Sequence, residues 1–241
     1  MSHTAPDNSH SSPTWSPPQR PNAYAEEMLI TAILEGHYPA GSTLPGEREL
    51  AGQLGVTRPT LREALRRLER DGWLTIQQGK ATRVNDYWRE GGPNILTAVV
   101  RYGRQLPAGF IRHLLEVRLA LAPAYTGGAV AHAPAQVSAL LVEYPDLADT
   151  PDAFAAFDWR LHQTLTQASG NPVYTLILNG FAGFYEAMAR LYFAPAGARR
   201  ASRQFYAALL AAVEQGDAAA AQAISQAAMS ESLRLWAETE P

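Results

Sequence analysis

The chemistry most densely encoded in this chain is that of a surface for a polyanion. Between residues 58 and 83 stand Arg58, Arg62, Arg66, Arg67, Arg70, Lys80 and Arg83 against only Glu63, Glu69 and Asp71, in a chain of net charge −3. A local positive field on an otherwise acidic protein suits a nucleic-acid duplex. Phosphates are drawn to it, and guanine edges accept bidentate arginine contacts. Lys80 is the only lysine in the chain and follows Gly79, so a flexible point charge can reach a groove or a phosphate there.

These groups need a frame, and the apolar spacing over residues 44–83 provides one. Leu50 and Leu54 lie four apart, on one face of a short helix starting near Glu47. Leu61, Ala64, Leu65 and Leu68 repeat as the inner stripe of a second helix. Gly55 allows the tight turn between them, Thr57 is a natural N-cap, and Pro59 falls in the first turn, where a missing N–H costs little. With the stripe packed inward, Arg58, Arg62 and Arg66 fall near the outer face. Arg58 and Thr60 then mark the helix end that enters a major groove first. After Asp71 and Gly72, the run Trp73, Leu74, Thr75, Ile76 predicts a strand. Gln78, Gly79 and Lys80 predict a turn, and residues 81–84 the returning strand. The whole reads as a winged helix-turn-helix. The same motif can serve protein docking, with solvated arginines. Cap, turn, stripe, basic edge and wing in sequence favour DNA.

The surroundings fit a soluble regulator. The 241 residues allow one or two domains, and the absence of cysteine excludes disulfides and thiolate chemistry, which points to the cytoplasm. No apolar run approaches the roughly 20 residues of a membrane span. Residues 1–21, rich in Ser, Pro and His, predict a disordered tail with no secretory signal. A helix is expected from near Ala23 to Gly36, within a DNA-binding domain over residues 22–86. Residues 87–93, ending in Gly91, Gly92 and Pro93, predict a linker. From residue 94 to 241 the pattern is helical. Gly and Pro mark breaks near 107, 134, 145, 151, 170–172, 195–197 and 216, giving six or seven helices. The fold class expected is mainly α: an N-terminal winged helix-turn-helix with a small β-wing, then an all-α bundle large enough to enclose a ligand.

Catalysis finds no support. There is no Gly-x-Ser-x-Gly elbow, phosphate-cradling glycine loop or His-Glu-x-x-His helix. The acidic pairs Asp146 with Asp149 and Glu26 with Glu27 read as solvated faces or caps. Asp158 and His162 have the i, i+4 spacing that can share a metal. Only His113 and His132 otherwise occur in this half, both upstream, so no metal site and no cofactor are expected. His162 reads instead as a histidine hydrogen-bonded to Asp158 or a neighbour.

Residues 44–68 resemble the winged helix of the GntR family of bacterial transcription factors. The strings Arg70-Asp71-Gly72-Trp73-Leu74-Thr75-Ile76-Gln77, Ala168-Ser169-Gly170-Asn171-Pro172-Val173-Tyr174 and Leu176-Ile177-Leu178-Asn179-Gly180 extend the resemblance. So do Tyr192-Phe193-Ala194 and Glu231-Ser232 with Trp236, and together they point to the FadR-type branch over residues 22–236. The resemblance implies a homodimer on a palindromic double-stranded operator, released by a long-chain fatty acyl-CoA. It further implies repression of fatty acid degradation and activation of unsaturated fatty acid biosynthesis. Carried over by position, DNA contacts fall on Arg48, Thr57, Arg58, Thr60, Arg62, Gln78, Gly79 and Lys80, and acyl-CoA contacts on Arg118, Tyr192, Ser232 and Trp236. Met229 stands where the branch has a glycine, so access for CoA is narrowed. The acidic end leaves CoA phosphates to arginines such as Arg199, Arg200 and Arg203. The wider family offers an alternative, a repressor that senses a small carboxylate through a metal held by one Asp and three His. A shift in the helical bundle, passed through the 87–93 linker to the recognition helices, is the expected coupling.

Overall fold

The computed structural model describes residues 21–239. The expected tail therefore lies outside the described residues, apart from Pro21, where the first helix begins. The chain divides into two compact units between Glu90 and Gly91.

The first unit contains α1 (Pro21–Leu34), α2 (Glu47–Leu54), α3 (Arg58–Arg70), β1 (Leu74–Thr75), β2 (Arg83–Val84) and α4 (Tyr87–Glu90). Leu61, Ala64, Leu65 and Leu68 form the buried side of α3, against Leu29, Ile30 and Ile33 of α1 and Leu50 of α2. Each such leucine contributes roughly 1.5–3 kcal/mol on leaving water. Gly55 closes α2 at φ 66°, and the Thr57 hydroxyl accepts from the backbone N–H of Thr60, so both ends of the turn are set by local chemistry. The strands pair antiparallel, Leu74 with Val84 and Thr75 with Arg83. Buried Asn85 fastens this wing. It accepts from the Thr75 hydroxyl at 2.7 Å and donates to the Gly72 carbonyl at 3.1 Å.

Residues 87–90 of the expected linker form α4, a single helical turn. Its Tyr87 ring packs 4.9 Å from Trp73, and Glu90 pairs with Arg83 at 2.9 Å.

The second unit holds α5 (Asn94–Tyr102), α6 (Phe110–His132), α7 (Pro134–Leu141), a 3₁₀ turn (Tyr144–Asp146), α8 (Pro151–Ala168), α9 (Pro172–Asn179), α10 (Tyr185–Phe193), α11 (Ala196–Glu214) and α12 (Ala218–Ala237). That makes eight α-helices among the described residues, where the punctuation predicts six or seven. The additional break, at residues 180–184, lies in an apolar run with no proline. Gly183 lies in this segment at a point where a Cβ would stand 2.6 Å from Thr97. Small residues let α6 lie close to its neighbours. A Cβ on Gly128 would meet the Ser169 carbonyl at 2.6 Å, and buried Thr126 donates to Ser225 of α12 at 3.3 Å. Phe154, Phe157, Leu161, Phe193, Tyr206 and Leu209 fill the centre.

Candidate nucleic-acid interface and ligand cavity

The first unit's exposed cations stand on α2, on the outer side of α3, at the wing tip and on α4. Arg48, Thr57, Arg58, Arg62, Gln78, Gly79 and Lys80 are exposed, and Thr60 is half-buried behind its cap. Glu47 organises two of the arginines. One of its carboxylate oxygens accepts from Arg62 Nε at 2.7 Å and lies 3.8 Å from Arg58. Arg67 is held by Glu63 and Glu26, and Arg70 by Asp71. Among the described residues Arg48, Arg66 and Lys80 make no ion pair, so their charges face solvent. The wing is buttressed from α3, because Glu69 accepts from the Ile76 N–H at 2.9 Å. Gly79, at φ 75°, turns the chain so that Lys80 stands at the tip.

The second unit contains an apolar cavity of about 770 Å³, open mouth included. Leu114, Leu121, Ile177, Phe181, Phe184 and Met188 are among its walls, and Arg118 is the only Arg or Lys lining it. A second cavity, about 830 Å³ counted the same way, lies among residues of α6, α8, α10, α11 and α12. Met229, Glu231 and Ser232 line it, with Asp158 and Ser202. Arg118 and Tyr192 line both and so form the partition. Tyr192 donates to Ser232 Oγ at 3.0 Å, and Ser232 in turn donates to the Ala228 carbonyl at 2.9 Å.

Arg118 anchors a buried polar cluster. It donates through Nη2 to Asp158 Oδ1 at 2.9 Å and to His162 Nε2, while the Tyr185 hydroxyl donates to Asp158 Oδ2 at 2.5 Å. A guanidinium only donates, so His162 Nε2 accepts and the neutral ring carries its proton on Nδ1, 2.6 Å from the Tyr125 oxygen. Burial and the Arg118 charge both hold His162 below the usual histidine range. Burial alone would raise the Asp158 carboxyl. The Arg118 charge, with the hydrogen bond from Tyr185, overcomes that and holds it well below the carboxylate range. Burial pushes the Tyr125 and Tyr185 hydroxyls up, so both stay protonated.

The fold therefore brings together Arg118, Tyr192 and Ser232. Trp236 follows Ser232 by one turn of α12 and packs half-buried on the core, but lines neither cavity. Asp158 is singled out in the sequence only with His162, as a pair that could share a metal; Tyr125 and Tyr185 are not singled out by their types. Their signal was spacing: Arg118 to Tyr125 and Tyr185 to Tyr192 are each seven residues apart, two turns on one helix face. The guanidinium occupies the place between Asp158 and His162 that a shared cation would take. Among the described residues no group of three or more His, Cys, Asp or Glu is arranged to hold a metal.

Two of the arginines expected to meet phosphates serve the fold instead. Arg199 donates to the Phe193 and Ala194 carbonyls at 2.7 and 2.9 Å and pairs with Asp149 at 2.8 Å. Arg203 donates to the Tyr144 and Leu147 carbonyls at 3.2 and 2.6 Å. Charge alone cannot distinguish a cation facing solvent from one closing off free carbonyls. Arg200 remains exposed.

Residues 22–84 match the family model described as bacterial regulatory proteins, gntR family, and residues 85–240 match the FadR C-terminal domain. The chain is 46% identical over 189 residues to a protein named fatty acid metabolism regulator protein from Shewanella amazonensis, covering 77% of this chain and 78% of that one. It is 45% identical over 201 residues to a protein of the same name from Edwardsiella ictaluri, covering 83% and 84%. Among solved structures, Lar, described as controlling expression of the Listeria monocytogenes agr system, superposes with a TM-score of 0.62 at 16% identity. That match covers 91% of this chain and 97% of Lar, and it bears on the fold alone. No helix among the described residues is long and apolar enough to cross a membrane.

Proposed function

The chain belongs to the GntR family of bacterial regulatory proteins and carries a FadR C-terminal domain, and from that premise we propose that it regulates transcription of fatty acid metabolism genes in response to long-chain fatty acyl-CoA. The observation that carries the ligand class is the apolar cavity whose inner partition offers only Arg118 and hydroxyl-bearing side chains. An apolar lining with a few polar groups at one side suits a hydrocarbon ligand oriented by its head.

The acyl chain lies in the apolar cavity, its thioester at the partition near Tyr192 and Ser232, and the CoA moiety leaves by way of the second cavity. Met229 is 2% exposed and narrows that route, which tunes affinity rather than ligand class. On the DNA side, the N-terminus of α3 enters the major groove. Arg48, Arg58 and Arg62 read guanine or phosphate, Thr57 and Thr60 hold phosphate, and Gln78, Gly79 and Lys80 extend the contact. A homodimer matches a palindromic operator, and a small change in half-site spacing costs both contacts together. Release on ligand binding relieves repression of degradation genes and withdraws activation of unsaturated fatty acid synthesis.

No hydrolysis of the thioester is expected. The cavity's one histidine accepts from Arg118, so it is not placed as a base for a nucleophile. The test is fluorescence anisotropy of a labelled palindromic operator titrated with protein and then with oleoyl-CoA. Release by oleoyl-CoA, and not by CoA alone, is the expected result. Operator binding that ignores oleoyl-CoA would overturn the effector assignment and leave the DNA assignment standing.

A further inference from the structure

The charges at the partition are arranged against one class of ligand. A lone guanidinium on the wall of an apolar pocket ordinarily captures a carboxylate through paired, charge-assisted hydrogen bonds. Here the capture is satisfied from within the protein. Asp158, its side chain 2% exposed, holds Arg118 at 2.9 Å, and Tyr185 fixes the second carboxylate oxygen at 2.5 Å. With His162 neutral, one positive and one negative charge cancel. Both Nη2 hydrogens of Arg118 are taken up by Asp158 and His162, and Nε is buried with no acceptor among the described residues. A carboxylate at the same place would stand beside Asp158 in a region shielded from water, where like charges repel far more strongly than in solvent.

We infer that Asp158 is a specificity-determining residue of this cavity: by neutralising Arg118 it makes the site accept long hydrocarbon chains headed by a neutral ester or thioester and refuse the corresponding free fatty acid. The ligand accepted rests on the acyl-CoA reading above, whereas the refusal of the carboxylate depends only on the charge of the cluster. Asp158 acts through Arg118, so it is a positioning residue.

The experiment is isothermal titration calorimetry of the full chain with oleoyl-CoA, methyl oleate and oleate in one carrier solution at pH 8, with circular dichroism to report folding. The unaltered protein should bind methyl oleate at least about tenfold more tightly than oleate. In Asp158→Asn the affinity for oleate should rise at least about tenfold, and Arg118→Gln combined with Asp158→Asn should abolish that gain. Equal binding of oleate and methyl oleate to the unaltered protein overturns the inference, and that comparison needs no variant to fold. A folded Asp158→Asn protein with unchanged oleate affinity also overturns it. So does a gain that persists in the double variant, because a loosened cavity would then be taking the carboxylate. If methyl oleate binds, oleate does not and oleoyl-CoA fails to bind, the acyl-CoA reading falls while the role of Asp158 stands.

Discussion

Replacing Arg118 with methionine should destabilise the helical unit by about 3–5 kcal/mol at pH 7 and reverse the direction in which its stability changes with pH. Arg118 is 16% and Asp158 2% exposed at their side chains, so the ion pair is a buried one and its loss leaves an uncompensated charge. In the unaltered protein His162 is held below its ordinary value of about 6.5. A depressed histidine stabilises the fold above its unfolded-state pKa. Stability is therefore lost as pH falls through about 6.5, at up to about 1.4 kcal/mol per pH unit. Asp158 adds nothing to that slope, because its depressed carboxyl loses its contribution only below the unfolded value of about pH 4.

Without Arg118, burial is no longer opposed, and Asp158 and His162, 3.6 Å apart, must share a proton taken from water. The folded pKa of that pair then lies above its unfolded value, so stability is gained as pH falls from 7 to 5. Urea unfolding followed by far-UV circular dichroism at both pH values measures the two slopes. Arg118→Met combined with Asp158→Asn removes both charges and should recover at least about 2 kcal/mol of the deficit, since replacing a whole buried pair is often near neutral. A single-variant deficit under about 1 kcal/mol, or the same deficit at pH 5 as at pH 7, would falsify this account of the cluster.

Four other outcomes are expected. Arg58→Ala should cost about 1–3 kcal/mol of operator binding and relax sequence preference. Lys80→Ala should weaken all sequences alike and lower the salt slope by about one; anisotropy titrations at several salt concentrations separate the two. Arg199→Ala should lower the melting temperature with no selective loss of oleoyl-CoA affinity, because its guanidinium is engaged by Phe193, Ala194 and Asp149; a selective loss of affinity would return it to the phosphate site. Gly128→Ala should destabilise by about 1–3 kcal/mol in thermal unfolding, since the new methyl would meet the Ser169 carbonyl at 2.6 Å.

The parts of this protein that were legible in its residues are those whose causes are local. Gly55, Thr57 and Pro59 bound α3 through a positive φ, a side-chain cap and a dispensable N–H, all effects within one turn of chain. The periodic leucines that form its inner face need only helix geometry to be seen. Glycine and proline likewise marked nearly every helix end in the second unit. The break at residues 180–184 is marked only by Gly180 and Gly183 within an apolar run, a weaker signal than proline. Residues 87–90 read as linker from composition, yet Tyr87 has Trp73 to pack against, and that contact turns the segment into α4.

Residue types and their spacing set the chemistry on offer: a basic winged helix, an apolar helical half, no thiol, and an Asp158–His162 pair on one helix face. Only tertiary structure decided how each group uses its charge. Arg58 and Arg199 are the same residue type, yet one faces solvent beside Glu47 and the other closes off the carbonyls at the end of α10. Arg118 and Asp158, forty positions apart, became a neutral pair at the partition of two cavities. Electrostatic interactions depend on distance and on the exclusion of water, and both exist only after helices distant in the chain have packed.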